Sequence, residues 1–159
     1  MTKIQIENII AYAQISKLFD IKLLSEKIAV IVLGTGKIFC TGAKEITDAI
    51  DKIKKVTSQI KKIGFKTKKD YKVKIENIIV STDLKKELNL ASLAIKLFPQ
   101  EVDYQPEVFP GLVYKMDDLQ TILIIFNSGK IVCTGAKSID DATNSIKKME
   151  ETLSSIGDL

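Results

Sequence analysis

The chain has no arginine, no histidine and no tryptophan, and all 24 of its positive charges are lysine. Each gap removes a class of chemistry. Without arginine there is no bidentate fork for reading guanine in the major groove. Without histidine there is no acid–base switch near neutral pH. No run of about 18 apolar residues exists, so no segment reads as a membrane-spanning helix. The opening Met1-Thr2-Lys3-Ile4 lacks the architecture of a secretory leader. Cysteine is nearly absent too. Cys40 and Cys133 read as core fillers suited to a reducing compartment, not as a disulfide or metal pair. The net charge of +4 is mild. The lysine-dense stretch from Lys52 to Lys74 reads as a solvated face that also attracts polyanions.

What the chain does have is repetition. Gly36-Lys37-Ile38-Phe39-Cys40-Thr41-Gly42-Ala43-Lys44 returns as Gly129-Lys130-Ile131-Val132-Cys133-Thr134-Gly135-Ala136-Lys137, identical at eight of nine positions. Ile6-Glu7-Asn8-Ile9-Ile10 returns unchanged as Ile75-Glu76-Asn77-Ile78-Ile79. The chain is therefore one supersecondary unit used twice, residues 1–68 and 69–159. The early motifs lie 69 residues apart and the late ones 93, so the second copy carries 24 residues that the first lacks.

Each copy opens on an isoleucine-rich alternating stretch that reads as a strand, residues 4–10 and 73–79. A short helix follows. In the second copy Asn89 caps it and Pro99 stops it, while the counterpart over Lys17–Lys27 is weaker. Apolar runs at 28–33 and 121–126 then turn through Gly34-Thr35-Gly36 and Asn127-Ser128-Gly129 into the repeated motif, as hairpins. Each copy closes on an amphipathic helix. One carries Ile46, Ala49, Ile50, Ile53, Val56, Ile60 and Ile63 as its stripe; the other carries Ile139, Ala142, Ile146, Met149, Leu153 and Ile156. Ser138 with Asp141 begins the last helix as a capping box would, and Gly64 and Gly157 end the two helices. The expected fold is α+β, with helices on one face of an antiparallel sheet. The surplus in the second copy contains Tyr104-Gln105-Pro106-Glu107-Val108-Phe109-Pro110-Gly111-Leu112-Val113-Tyr114-Lys115-Met116, read as a hairpin confined to that copy.

These strings resemble the TATA-box-binding protein family, in which each repeat pairs an E-N-I-V-like strand with an S-G-K-x-x-x-T-G-A-K strand pair and the second adds Y-x-P-E-x-F-P-G-L-x-Y-[RK]-M. The likeness covers essentially all of copy two and about two thirds of copy one. It implies a saddle-shaped sheet, helices on its convex face, and a concave face for the minor groove of A/T-rich DNA, where only acceptors and apolar sugar edges are offered. Alternation aims Ile31 and Leu33, Phe39 and Thr41, Ile124 and Phe126, and Val132 and Thr134 the same way, joined by Asn8, Ile10, Asn77 and Ile79. Phe109 and Phe126 match the family's wedge phenylalanines, which enter base steps and kink the duplex; TATA-binding protein itself is the standard example of such kinking. Lys37, Lys44, Lys115, Lys130 and Lys137 match its phosphate-facing positions. Gln105 and Glu107 match the positions that meet transcription factor IIB, with glutamine where the pattern is acidic.

Copy one departs from the pattern. It has no Y-x-P-x-x-F hairpin, and Leu33 stands at the second wedge position, so one stirrup, its wedges and about two strands are expected to be missing. Bending at that end should be weaker. The leading expectation is a transcription initiation factor with no enzymatic activity and no cofactor or metal. Its partners would be A/T-rich duplex, a IIB-like protein, and other initiation factors at the lysine-rich helix 45–63. It would act in the nucleus, or at a cytoplasmic transcription site if viral or archaeal. The competing expectations are a protein-interaction platform that has lost strong bending, and an accessory domain of a repair enzyme or ribonuclease. The second is disfavoured by a chain ending at Leu159 without a catalytic domain. Gly34-Thr35-Gly36-Lys37 lacks phosphate-loop spacing, and Asp117-Asp118 reads as a polar turn.

Overall fold

A computed structural model describes residues 3–15, 21–23 and 29–159. The chain divides into two compact units: Ile6–Asn77, and Ile78–Leu159 together with the described residues of Met1–Gln5. The N-terminal unit runs β1 (Gln5–Gln14), β2 (Ile21–Leu23), β3 (Ala29–Val32), β4 (Lys37–Ala43) and α1 (Ile46–Lys62). Its strands lie side by side in the order β2-β3-β4-β1, all pairs antiparallel. The C-terminal unit continues from β5 (Lys74–Asp83) through α2 (Leu90–Lys96), β6 (Val102–Asp103), β7 (Gly111–Met116), β8 (Thr121–Phe126), β9 (Lys130–Ala136) and α3 (Ile139–Ser155). Its order is β5-β9-β8-β7-β6, again antiparallel. The α+β class expected from the sequence is the one observed.

Period-two alternation explains why these segments are strands covered on one side only. Ile9, Ala11 and Ala13 of β1, Val30 and Val32 of β3, and Ile38 and Cys40 of β4 are buried. They face Ala49, Ile53, Val56 and Ile60 on α1, which packs on β3 and β4. In the C-terminal unit Ile78, Val80, Leu112, Leu123, Ile125, Ile131 and Cys133 are buried together with Ala142, Ile146, Met149 and Leu153 of α3, which packs on β8 and β9, and Leu90 and Leu93 of α2, which packs on β7. Each buried Ile, Leu or Val contributes about 1.5–3 kcal/mol over its exposed state. Both cysteines are buried and free, as core fillers should be.

The helix ends obey their sequence signals. Asn89 accepts from Ser92 N–H at 3.0 Å and Ser138 Oγ accepts from Asp141 N–H at 3.1 Å. Gly64 (φ 99°) and Gly157 (φ 77°) take the left-handed conformation that closes α1 and α3. Ile63 departs from the expected stripe: it follows the last helical turn and is 66% exposed.

Copy one differs from expectation in two ways. The weak helix over Lys17–Lys27 is contradicted at Ile21–Leu23, which form β2 paired with β3; residues 17–20 and 24–27 lie outside the described residues. In strand order β2 is the counterpart of β7, so among the described residues the N-terminal unit is one strand short of its partner, not two. The counterpart of β6 is the strand not found among the described residues; residues 16–20, which precede β2 as β6 and its loop precede β7, lie outside them.

Candidate nucleic-acid interface

The side of each sheet opposite the helices carries the candidate residues. In the N-terminal unit Asn8, Ile10 and Tyr12 of β1, Ile31 of β3, and Lys37, Phe39 and Thr41 of β4 are half-buried, and Leu33 just past β3 is exposed. Cross-strand partners confirm a shared face: Tyr12 lies opposite Phe39, and Phe39 opposite Ile31. In the C-terminal unit Ile124 and Phe126 of β8 and Val132 and Thr134 of β9 are half-buried, as is Ile79 of β5. Ile124 pairs with both Val132 and Val113. Asn77, at the end of the N-terminal unit, is half-buried. Open, largely apolar sheet surface of this kind marks an interaction site.

The repeated Thr-Gly-Ala string has a structural cause. Between Ile9 and Ala11 the β1–β4 register slips, and the strand facing them carries Gly42 at φ 93°; the β5–β9 pair slips between Ile78 and Val80, opposite Gly135 at φ 93°. Both are β-bulges in which only glycine takes the required φ without strain. The N–H released from the ladder at Gly42 donates to Asn8 Oδ1 at 2.8 Å. An N–H can be met only by the amide oxygen, so Asn8 Nδ2 is turned to the other side. It donates to Thr41 Oγ1 at 3.1 Å and keeps a second N–H to give. The bulge thus sets a donor pair, Asn8 and Thr41, on an otherwise apolar face.

The loop between β6 and β7 holds the hairpin residues. Gln105 and Glu107 are exposed, and Gln105 O accepts from the N–H groups of Val108 and Phe109 at 2.9 Å, which tightens the loop. Gln105 Nε2 donates to Asp103 Oδ1 at 2.9 Å. Phe109, 39% exposed, meets Phe126 edge to face with centroids 6.1 Å apart. Gly111 is the seat of this pair: a Cβ there would stand 2.8 Å from Phe109 Cε1 and 2.9 Å from Ile124 Cγ2.

Of the five lysines, Lys44, Lys115, Lys130 and Lys137 are exposed. Lys44 pairs with Glu7 at 3.5 Å and Lys115 with Glu101 at 3.1 Å. Lys37 lies inward, its Nζ 4.2 Å from the Tyr12 ring centroid and 4.7 Å from that of Phe39. Both thiols and Asp118 titrate away from their ordinary values, as does Asp83 at the end of β5, lowered by its hydrogen bond from Lys85. Burial pushes the Cys133 thiol up to about 11 and raises Cys40 as well, so neither is a thiolate at neutral pH. Asp118 is held below the usual carboxylate range by its hydrogen bond from Lys148.

Sequence reasoning missed Tyr12, Val113 and Ile122 on these faces. Tyr12 and Ile122 were two residues along the same alternation from Ile10 and Ile124, and Gly111 announced itself only through its Pro-Gly context.

Two similar α+β repeats, each with helices on one sheet face and the other face open and apolar, define a binding protein built by duplication. The family model described as "Transcription factor TFIID (or TATA-binding protein, TBP)" matches residues 72–156. The TATA-box-binding protein of Archaeoglobus fulgidus is 36% identical over 98% of this chain and 97% of its own length. That of Methanothermobacter thermautotrophicus is 36% identical over 96% of both chains. The solved structure of Methanococcus jannaschii TBP matches with a TM-score of 0.85 and 33% identity, covering 97% of this chain and 99% of that one. The chain belongs to the TATA-box-binding protein family, a family of transcription factors, and is not an enzyme. The family model matches the second copy alone, where the sequence likeness was most complete.

Proposed function

We propose that this protein is a general transcription initiation factor that binds A/T-rich promoter DNA in the minor groove and recruits a IIB-like factor. The observation that carries the reading is the donor pair Asn8–Thr41, oriented by Gly42 on an apolar open face. An A·T minor groove offers the adenine N3 and thymine O2 acceptors and no donor, so a surface of donors among apolar groups complements it. Ile10, Ile31, Leu33, Ile79, Ile124, Val132 and Phe39 meet the sugar edges; Asn77 and Thr134, which the sequence repeat sets at the positions of Asn8 and Thr41, each donate to the groove. Phe109 and Phe126 act as the wedge at one base step, stabilising the kink. Lys37, Lys44, Lys115, Lys130 and Lys137 contact phosphates and carry the salt dependence.

Glu107 is the acidic anchor for a IIB-like partner. Gln105 breaks the expected acidic pair, and Asp103 at the end of β6, hydrogen-bonded to Gln105, returns a second carboxylate beside the loop. The lysine-rich face of α1, with Lys54, Lys55, Lys61 and Lys62 exposed, serves other initiation factors. The relatives are archaeal, which favours a cytoplasmic site of transcription. The test is affinity and bend angle on A/T-rich and G/C-rich duplexes, with and without a IIB-like factor. Selective binding of A/T-rich duplex, tightened by that factor, is expected. Binding of the factor with no preference for A/T-rich DNA would favour a protein-interaction platform instead.

A further inference from the structure

The repeated nine-residue motif differs between its copies at a single position, Phe39 against Val132. Tyr12, opposite Phe39, corresponds by the same repeat to Ser81. The N-terminal unit therefore has an aromatic pair where the C-terminal unit has valine and serine. The distribution of the other pair is the reverse. Phe109 and Phe126 belong to the C-terminal unit, whereas the N-terminal unit has Leu33 at the position of Phe126. Among the described residues each unit thus carries an aromatic pair on its open face, at different positions. The geometries are comparable: Tyr12 and Phe39 stand 6.0 Å apart at 37°, Phe109 and Phe126 6.1 Å apart at 61°.

We infer that Tyr12 and Phe39, with Lys37, form a second aromatic contact to the duplex, made by the N-terminal unit. This rests on the proposed minor-groove reading. Three features support it. The rings are half-buried on the open face, so an apolar partner would complete their burial. Lys37 lies over both rings at 4.2 and 4.7 Å, so a cation is stored where a backbone phosphate would follow a stacked base. The donors share these two strands and this face: Asn8, Ile10 and Tyr12 succeed one another on β1, and Thr41 and Phe39 on β4. At about 3.3 Å per residue, Phe39 sits about 7 Å from Thr41 along its strand and Tyr12 about 13 Å from Asn8. With 3.4 Å between base pairs, the contacted step lies about two to four base pairs from the one read by Asn8 and Thr41. The aromatic contact in this unit therefore sits on β1 and β4, while the Phe126 contact sits on β8.

The probe is an A/T-rich duplex with 2-aminopurine placed at successive steps, whose fluorescence rises where stacking is lost. The wild-type protein should give two rises, one for each pair. Tyr12→Ser with Phe39→Val installs the residues that the other unit carries at these positions, and Phe39→Leu keeps apolar volume while removing a ring; melting curves report whether each variant folds. Loss of the rise nearer Asn8, with the Phe109-dependent rise intact and affinity down about 5- to 150-fold, supports the inference. Both rises and the affinity unchanged in either folded variant would overturn it, while A/T-selective binding would leave the parent reading standing. No binding of A/T-rich duplex by the wild type would refute both.

Discussion

Asn8 offers the sharpest separation of folding from binding. Its Oδ1 holds the Gly42 N–H at 2.8 Å and its Nδ2 reaches Thr41 Oγ1 at 3.1 Å. Asn8→Asp keeps an oxygen for Gly42, and a charged acceptor on a backbone N–H is at least as strong as a neutral one. The Thr41 hydroxyl then turns to donate to the carboxylate, a direction already open to it across 3.4 Å. The fold should lose no more than about 0.5 kcal/mol. The face, however, loses the amide donor and the hydroxyl proton together, and presents an acceptor to groove acceptors. One lost base contact costs about 1–3 kcal/mol, so a 10- to 100-fold rise in Kd on A/T-rich duplex is expected, toward the upper end of that cost. Asn8→Ala should behave inversely. It leaves the Gly42 N–H without its acceptor and costs about 1–2 kcal/mol of stability. It introduces no repulsion, so its binding defect should be smaller. Fluorescence anisotropy and urea unfolding on both variants check the pair. Asn8→Asp binding within twofold of wild type, or destabilised more than Asn8→Ala, would refute the donor assignment.

Phe109→Ala and Phe126→Ala should each weaken binding and reduce the bend in a fluorescence-transfer assay, with Leu33→Ala milder; a most damaging Leu33 change would place the wedge in the wrong unit. Gly111→Ala, whose new methyl would press on Phe109 and Ile124, should cost about 1–3 kcal/mol of stability and shift the bend with it, seen by melting and transfer together. Lys130→Ala should flatten the salt dependence of binding by about one unit of slope, while Lys44→Ala and Lys115→Ala change it less, because Glu7 and Glu101 already neutralise those cations. The Cys133 thiol keeps its proton to about pH 11 when folded and loses it near 9.0 when unfolded. The folded state therefore binds more protons between these values, so stability holds below pH 9 and falls as pH rises toward 11, by up to about 2–3 kcal/mol. Melting temperatures of the wild type and Cys133→Ala across that window should converge at its alkaline end.

Features with a local cause were legible in the sequence. The Thr-Gly-Ala-Lys string was visible as a motif because a bulge needs glycine at Gly42 and Gly135, and its neighbours inherit the constraint. Helix ends were visible because Asn89, Ser138, Gly64 and Gly157 satisfy backbone groups within a few residues. The open-face residues Ile31, Phe39, Ile124, Phe126, Val132 and Thr134 followed from alternation alone. Features decided by pairing were hidden. Ile21-Lys22-Leu23 alternates over three residues only, too short to outweigh the weak helical spacing read around it, and its pairing with β3 decides its state. Reading the first strand as ending at Ile10 hid Tyr12, because nothing local marks a strand's end there; β4 extends the ladder to Gln14. Lys37 matched a phosphate position by motif, yet two rings from two strands hold its ammonium, which spacing along one strand cannot reveal.

If the open sheet faces read the minor groove, a base pair matters to binding only through what that groove displays. Inosine·cytosine pairs present the minor groove of A·T, without the guanine amino group, and the major groove of G·C. Binding should therefore be measured on three duplexes of one length, A·T-rich, the same site written in I·C, and the same site in G·C. I·C is expected to bind like A·T, and G·C much more weakly. An I·C duplex bound as weakly as G·C while A·T binds tightly would contradict minor-groove reading.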